Sequence, residues 1–369
     1  MRPVTPRAAA TTGMSWWIKI HPLLLAILLI TGVLPARGND VFPATNALIL
    51  PSTDKRFIVD DEAFEKESGN QVERLAKEGR LTDYSYLAKH VPLVRPSLIL
   101  PTAATNQLTT PELADLLRHS TVAIGLRYQE PHTRNSSGTQ AAKVGKWHYE
   151  IAATAFAIAP EIFSTSLHVM TIDPTMMRDA QAVAVTEEGK VFPITQIVAS
   201  SERGDTCLVR VPGLTLPSLP LRPGVRTGEP IWCMSHPDGF TFMFTSGQVA
   251  RISRERYDKQ SAPGLHIEVT AEYCPGSSGG AVTDASGNVV AQVSSINQYS
   301  DSGSLESKNT QIASGIVSAR TCTASEEIIN LTTPGTNDPL PLPTPSPKKK
   351  RHLPKTQATP TSQKSEIKD

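Results

Sequence analysis

The chain has 369 residues, with 23 Gly, 30 Pro and only 5% aromatic residues. That length holds one domain of about 200 residues plus extensions. A formal charge of +1 gives no global reason to expect a nucleic acid or an anionic surface as partner, and the four cysteines show no metal-binding spacing.

At the N-terminus Arg2, Arg7 and Lys19 precede the apolar run Pro22–Leu34, and Ala36-Arg37-Gly38 offers small residues at the positions an export peptidase reads. Residues 1–38 are therefore expected to be a signal peptide cleaved after Gly38. The run is short for a membrane span, which needs about 20 residues, so an uncleaved anchor is the minor alternative. Residues 39–116 carry no evident chemistry. Asp61–Gly79 and Thr82–Val91 read as helices, in a segment that could be a packed arm, a propeptide, an interaction segment or a partly ordered extension.

The next readable elements are strands. Thr154–Pro160 and Ile162–Val169 form a predicted hairpin whose second strand ends at His168. Asp205 heads the apolar strand Asp205–Val211, which places a carboxylate beside the core. Leu265–Ala271 alternates as a half-buried strand does, and Ala281–Thr283 and Asn288–Ser294 read as strands joined across Asp284–Gly287. Between them lies Cys274-Pro275-Gly276-Ser277-Ser278-Gly279-Gly280. A serine that attacks an acyl carbonyl needs its own N–H and a second one, two residues upstream, converging on the nascent oxyanion. Gly276 and Ser278 can supply these, and glycines around the serine permit the tight turn. A glycine turn between strands differs from the strand-to-helix elbow of α/β-hydrolases and points to a β-barrel hydrolase. Ser278 as nucleophile calls for a histidine base and a carboxylate to orient it, and His168 and Asp205 are the candidates. His90, His119, His132, His148, His236 and His266 lack comparable surroundings and read as surface or structural residues.

Beyond residue 330 the composition shifts: prolines from Pro334 to Pro347 lead into Lys348-Lys349-Lys350-Arg351. Residues 331–369 are expected to be a disordered, Pro/Lys-rich tail whose basic run is solvated.

Ala155-Phe156-Ala157-Ile158, Thr165-Ser166-Leu167-His168-Val169, Asp205-Thr206-Cys207-Leu208-Val209 and Pro275–Gly280, in that order, resemble the motifs of trypsin/chymotrypsin-like serine peptidases. The likeness is greatest to HtrA (Deg)-type catalytic domains without a PDZ domain. His236-Pro237-Asp238-Gly239, Thr245–Val249 and Ala313–Val317 extend it. The resemblance implies an all-β fold of two six-stranded Greek-key β-barrels over residues 117–330. It also implies a catalytic triad of His168, Asp205 and Ser278 with an oxyanion hole at Gly276 and Ser278. Pocket walls would come from Gln292, Val293, Ser294, Ser314, Gly315 and Ile316. No metal or organic cofactor is implied. Leu167 and Ala155 depart from the smaller residues usual at their positions, and Ser277 stands where zymogen-activated relatives carry an aspartate. Glu272 lies at the offset of the acid in trypsin-like primary pockets, but its surroundings resemble the HtrA type, so it is expected to be solvent-facing or salt-bridged.

In an exported chain four cysteines allow two disulfides by three connectivities. Cys274 matches a bridging position of digestive relatives, which makes Cys274–Cys322 one pairing, and Cys207 and Cys233 read as buried thiols. The expected function is that of an exported, periplasmic or secreted serine endopeptidase acting on polypeptide substrates. The alternatives are an inactive fold that binds protein and an esterase with the same triad.

Overall fold

A computed structural model of the chain describes residues 57–129, 145–172, 177–255, 262–295 and 320–337. The expected signal peptide, the tail beyond residue 337, and the expected pocket residues Ser314, Gly315 and Ile316 lie outside these. The fold is mostly β and has the two-barrel plan of chymotrypsin. The strands of the first half are β1 (Thr121–Gln129), β2 (Trp147–Ala159), β3 (Ile162–Ser166), β4 (Arg178–Val185), β5 (Val191–Pro193), β6 (Gln196–Ser201) and β7 (Thr206–Arg210). They form one seven-stranded antiparallel sheet in the order β5-β4-β1-β2-β3-β7-β6. Its two edges are successive pieces of one stretch. Ile194 N–H bonds back to Ala182 O on β4, whereas Thr195 N–H bonds to Arg210 O on β7, so the sheet curls around to meet itself. The second half is a closed barrel of β8 (Pro230–Ser235), β9 (Met243–Glu255), β10 (Gly264–Val269), β11 (Ala281–Thr283), β12 (Val289–Ser295) and β13 (Arg320–Ala324).

Side-chain alternation along β2 shows how the layers form. Ala153, Ala155 and Ala157 point into the first barrel, against Val122, Ile124, Phe163, Ile197 and Val209. Phe156 and Ile158, on the opposite face, belong to a second core that joins the barrels and includes Val198, Leu208, Leu219 and Met234. A strand buried on both faces reads as a continuous apolar run. Ala155 and Leu167 are both buried in the first core, so the two departures in size are absorbed by packing.

The helices are α1 (Asp61–Lys77), α2 (Tyr84–Lys89), α3 (Thr110–Ser120) and, after β13, α4 (Ser325–Leu331). Asp60 caps α1 by accepting from Ala63 N–H at 2.9 Å, and Gly79, at φ +66°, lies beyond its end. All four helices pack on the sheets. Val72 of α1 sits with Ala123, Ile151, Val183 and Val185, and Tyr84 and Leu87 of α2 join the first barrel's core. Leu113 and Leu117 of α3 and Ile328 and Leu331 of α4 fill the core between the barrels. Position 116/117 falls inside α3, which runs into β1 without a break, and position 330/331 falls inside α4. Among the described residues no helix is long and apolar enough to cross a membrane.

All four cysteines are free thiols. Cys322 is sealed inside the second barrel with its Sγ 3.7 Å from Tyr273 Oη, while Cys274 lies on a partly exposed turn, so the pairing considered above does not form. Burial drives the Cys322, Cys207 and Cys233 thiols above their ordinary pKa, Cys233 to about 12.

Because α3 fills the inter-barrel core, Leu117→Ala should lower the stability of the whole two-barrel fold by about 2–5 kcal/mol. Urea unfolding would show this as one cooperative transition with a lower midpoint. Loss of an early, separate helical phase with the main transition unmoved would show α3 to be a detachable arm.

Candidate active site

His168 lies on the 3-10 turn Leu167–Met170, which follows β3 directly. The predicted strand thus ends two residues early, at Ser166, and the turn swings the imidazole out toward the second barrel. Asp205 occupies the β6–β7 turn at φ +46°, a left-handed conformation that aspartate tolerates better than most residues. Its backbone carbonyl accepts from Leu167 N–H at 3.1 Å, which locks the two turns together.

The Asp205 carboxylate is 3% exposed, and a charge so buried is costly unless fully paired. Three donors reach it. The His168 backbone N–H binds Oδ1 at 2.9 Å; the His168 ring Nδ1 and the Ser294 hydroxyl bind Oδ2 at 2.8 and 2.5 Å. An ionised carboxylate only accepts, so Nδ1 carries the proton and Nε2 presents its lone pair. Ser278 Oγ lies 2.9 Å from that Nε2. Burial pulls the His168 pKa down, but the hydrogen bond to Asp205 and its charge outweigh this and hold it above the ordinary value of 6.5.

Ser278 follows the turn Cys274–Ser277, closed by Ser277 N–H to Cys274 O at 3.0 Å. Proline in second place and a glycine at φ +92° in third make this a type II turn. A Cβ on Gly276 would stand 2.3 Å from His236 O, so the position admits no side chain. The Pro275 carbonyl accepts from Asp238 N–H at 2.7 Å. In a trans peptide the C=O and N–H point in opposite directions, so this bond turns the Gly276 N–H away from Asp238 and toward the cleft. Among the described residues neither the Gly276 N–H nor the Ser278 N–H has an acceptor. Gly279, at φ +88°, lets the two barrels meet: a Cβ there would lie 2.1 Å from Thr154 O. Thr154 N–H to Ser278 O at 2.9 Å stitches the contact, and within the second barrel Gly279 N–H binds Val293 O at 2.8 Å.

The cleft in front of Ser278 has a volume of about 560 Å³ and is lined by His168, Gly276, Ile151, Met177, Glu150 and, from α1, Glu65. Glu272 is not buried in it. Its side chain is 77% exposed and paired with Arg320 at 2.6 Å.

Three residues expected as pocket walls are engaged at the barrel junction. Gln292 is fully buried between the barrels and accepts from Ser164 Oγ at 2.5 Å. Val293 packs in the second barrel's core, while its carbonyl also accepts from Ser166 Oγ. The Ser294 hydroxyl is committed to Asp205, and only its carbonyl faces Ser278 Oγ, at 3.4 Å. These residues therefore tie the barrels and Asp205 together. Ser277 is buried and shares a hydrogen bond with Ser235 at 3.0 Å.

His236 is the residue whose importance the sequence concealed. It is fully buried, with its N–H and its Nδ1 3.1 and 3.0 Å from Thr154 Oγ1. Thr154 has one hydroxyl proton and gives it to Gly276 O at 3.0 Å. His236 Nδ1 must therefore be the donor, which leaves Nε2 as a buried lone pair with no partner among the described residues. Burial lowers its pKa to about 3, so this imidazole stays neutral.

Comparison with known proteins agrees with the geometry. Residues 153–291, which contain His168, Asp205 and Ser278, match the trypsin-like peptidase domain model. No curated protein matches the chain. Among solved structures it is similar to the HtrA-type protease AlgW with a decapeptide, at 17% identity and TM-score 0.46 over 61% of this chain and 66% of that one. It is also similar to the active form of the Rv3671c protease from M. tuberculosis, at 19% identity and TM-score 0.43 over 66% of this chain and 97% of that one. The chain thus spans 66% of the length of the AlgW chain.

The raised His168 pKa fixes the direction of the pH dependence. With His168 as general base the neutral imidazole would be the active form, so activity should rise as pH increases through a midpoint above 6.5 and then level off. A kcat/KM profile would show it. Asp205→Asn removes the charge that raises this pKa and should move any residual activity's midpoint to lower pH; an unchanged midpoint would mean that another group titrates.

Proposed function

We propose that the protein is a serine endopeptidase that hydrolyses peptide bonds through an acyl-enzyme. The observation that carries this reading is the continuous relay from Ser278 Oγ to His168 Nε2 at 2.9 Å and from His168 Nδ1 to Asp205 Oδ2 at 2.8 Å, beside a turn that aims the Gly276 N–H into the same cleft.

In this reading Ser278 Oγ attacks the scissile carbonyl carbon while its proton passes to His168 Nε2. Asp205 holds the ring in the tautomer that can receive the proton and stabilises the imidazolium that results. The carbonyl oxygen becomes an oxyanion between the N–H groups of Gly276 and Ser278. Each such donor contributes roughly 3–4 kcal/mol to lowering the barrier, because it is oriented before charge develops. Collapse of the intermediate breaks the C–N bond, and the amine leaves with the proton from His168. A water molecule, deprotonated by the same imidazole, then hydrolyses the ester.

The preferred substrates are unfolded polypeptides, cleaved after Val, Ala, Leu or similar residues. In support, Glu272 is spent on Arg320 in an exposed position and cannot act as a buried anchor for a substrate cation. Action outside the cytoplasm is part of the proposal, supported by the basic residues ahead of the apolar run Pro22–Leu34.

Digestion of a proteome-derived peptide library by the purified chain tests the activity. Ser278→Ala should abolish cleavage, a loss of about 10⁴-fold or more, with melting temperature unchanged, since only a partly exposed hydroxyl is removed. Retained cleavage would sink the assignment. In the same digest Glu272→Gln should leave the preference for apolar residues before the cut intact, and cleavage dominated by Lys or Arg sites that the substitution abolishes would show a trypsin-like pocket instead.

A further inference from the structure

The oxyanion turn is held from behind by the segment His236–Phe242, and that segment is held by helix α1. Both Thr241 N–H and Thr241 Oγ1 donate to Asp61 Oδ1, at 2.9 and 2.7 Å. The Phe242 ring meets Phe57 and Phe64 edge-on, with centroids 5.7 and 5.9 Å apart. Two residues of this segment, Asp238 and Phe242, have positive φ of 49° and 56°. Such a conformation is unfavourable for a bulky side chain and persists only where the surroundings enforce it. For Phe242 those surroundings are the two α1-side phenylalanines and, on its other side, the His236 ring at 4.7 Å.

From there the contacts run to Gly276 by two routes. Asp238 N–H fixes the Pro275 carbonyl at 2.7 Å, and His236 orients Thr154 Oγ1, which binds the Gly276 carbonyl at 3.0 Å. The two peptide planes that flank Gly276 are thereby set, and with them the direction of its N–H.

We propose that α1 is a positioning element for the oxyanion hole, with Asp61 as the positioning residue that holds Thr241 and Phe242 and, through them, the Gly276 turn. The inference rests on the peptidase reading, since it assigns α1 a task in that reaction. It also gives the N-terminal segment a role: α1 belongs to the working enzyme, and a chain that loses the Asp61 contact keeps its triad but not its oriented oxyanion donor.

The test uses the purified full chain and diisopropyl fluorophosphate, whose phosphoryl oxygen occupies the oxyanion hole as Ser278 Oγ displaces fluoride. Wild type should be labelled at Ser278. Asp61→Ala should be labelled about 10- to 100-fold more slowly, with the pH midpoint of labelling unchanged, because the defect lies in the oxyanion donor and not in His168. Asp61→Asn keeps the accepting oxygen and should recover the rate to within about threefold of wild type. Thr241→Val loses one of the two bonds and should be intermediate, and this variant decides the question should Asp61→Ala fail to fold by circular dichroism. Labelling of folded Asp61→Ala at the wild-type rate, or a shifted pH midpoint, would overturn the inference and leave the peptidase reading standing. Absence of labelling in wild type would overturn the peptidase reading itself.

Discussion

One buried charge organises the site. Asp205 is withdrawn from water at the seam of two barrels, and its carboxylate is tolerable there only because three donors converge on it. Two come from His168, in the first barrel, and one from Ser294, in the second. The need to pair one charge therefore fixes the histidine's position, its tautomer and the approach of the two halves. Removal of the Asp205 side chain would leave His168 free to turn and Ser294 without its acceptor, so the contact between His168 and Ser278 depends on an interaction one step removed from the serine.

The second requirement is a backbone one. Gly276 must sit at φ +92° against the His236 carbonyl, and Gly279 must admit Thr154 O at a distance no Cβ allows. These glycines exchange conformational freedom in the unfolded chain for close approach in the folded one. The segment His236–Phe242 makes that approach useful, since its contacts orient the Pro275 and Gly276 carbonyls. The helices before β1 pack on this frame: α3 closes the core between the barrels, and α1 backs the segment that backs the Gly276 turn.

Much of this was legible in the sequence. Period-two alternation marked β10, an apolar run marked β12, the helical pattern marked α1 and α2, and Ser278, His168 and Asp205 were singled out by the turn chemistry and strand ends around them. What escaped had physical causes. Helix α3 carries a capping box, with Thr109 N–H and Oγ1 bound to Glu112 at 2.8 and 2.7 Å, and Pro111 in its first turn, a signal that was present but short. The contacts that Gln292, Val293 and Ser294 make at the barrel junction had no local signal, because both faces of β12 are buried there. His236 was readable only as surface or structural, because its weight comes from contacts with Thr154 and Phe242, distant in sequence. Nor does an amphipathic helix reveal which surface it will cover, so the tie between Asp61 and Thr241 had no local signature.

The most direct measurement of the central claim is peptide mapping by mass spectrometry after reaction of the purified chain with a fluorophosphonate. The account predicts a single covalent adduct on Ser278, absent when His168 is replaced by alanine. An unmodified Ser278 in the folded chain, or an adduct that forms equally well without His168, would contradict it.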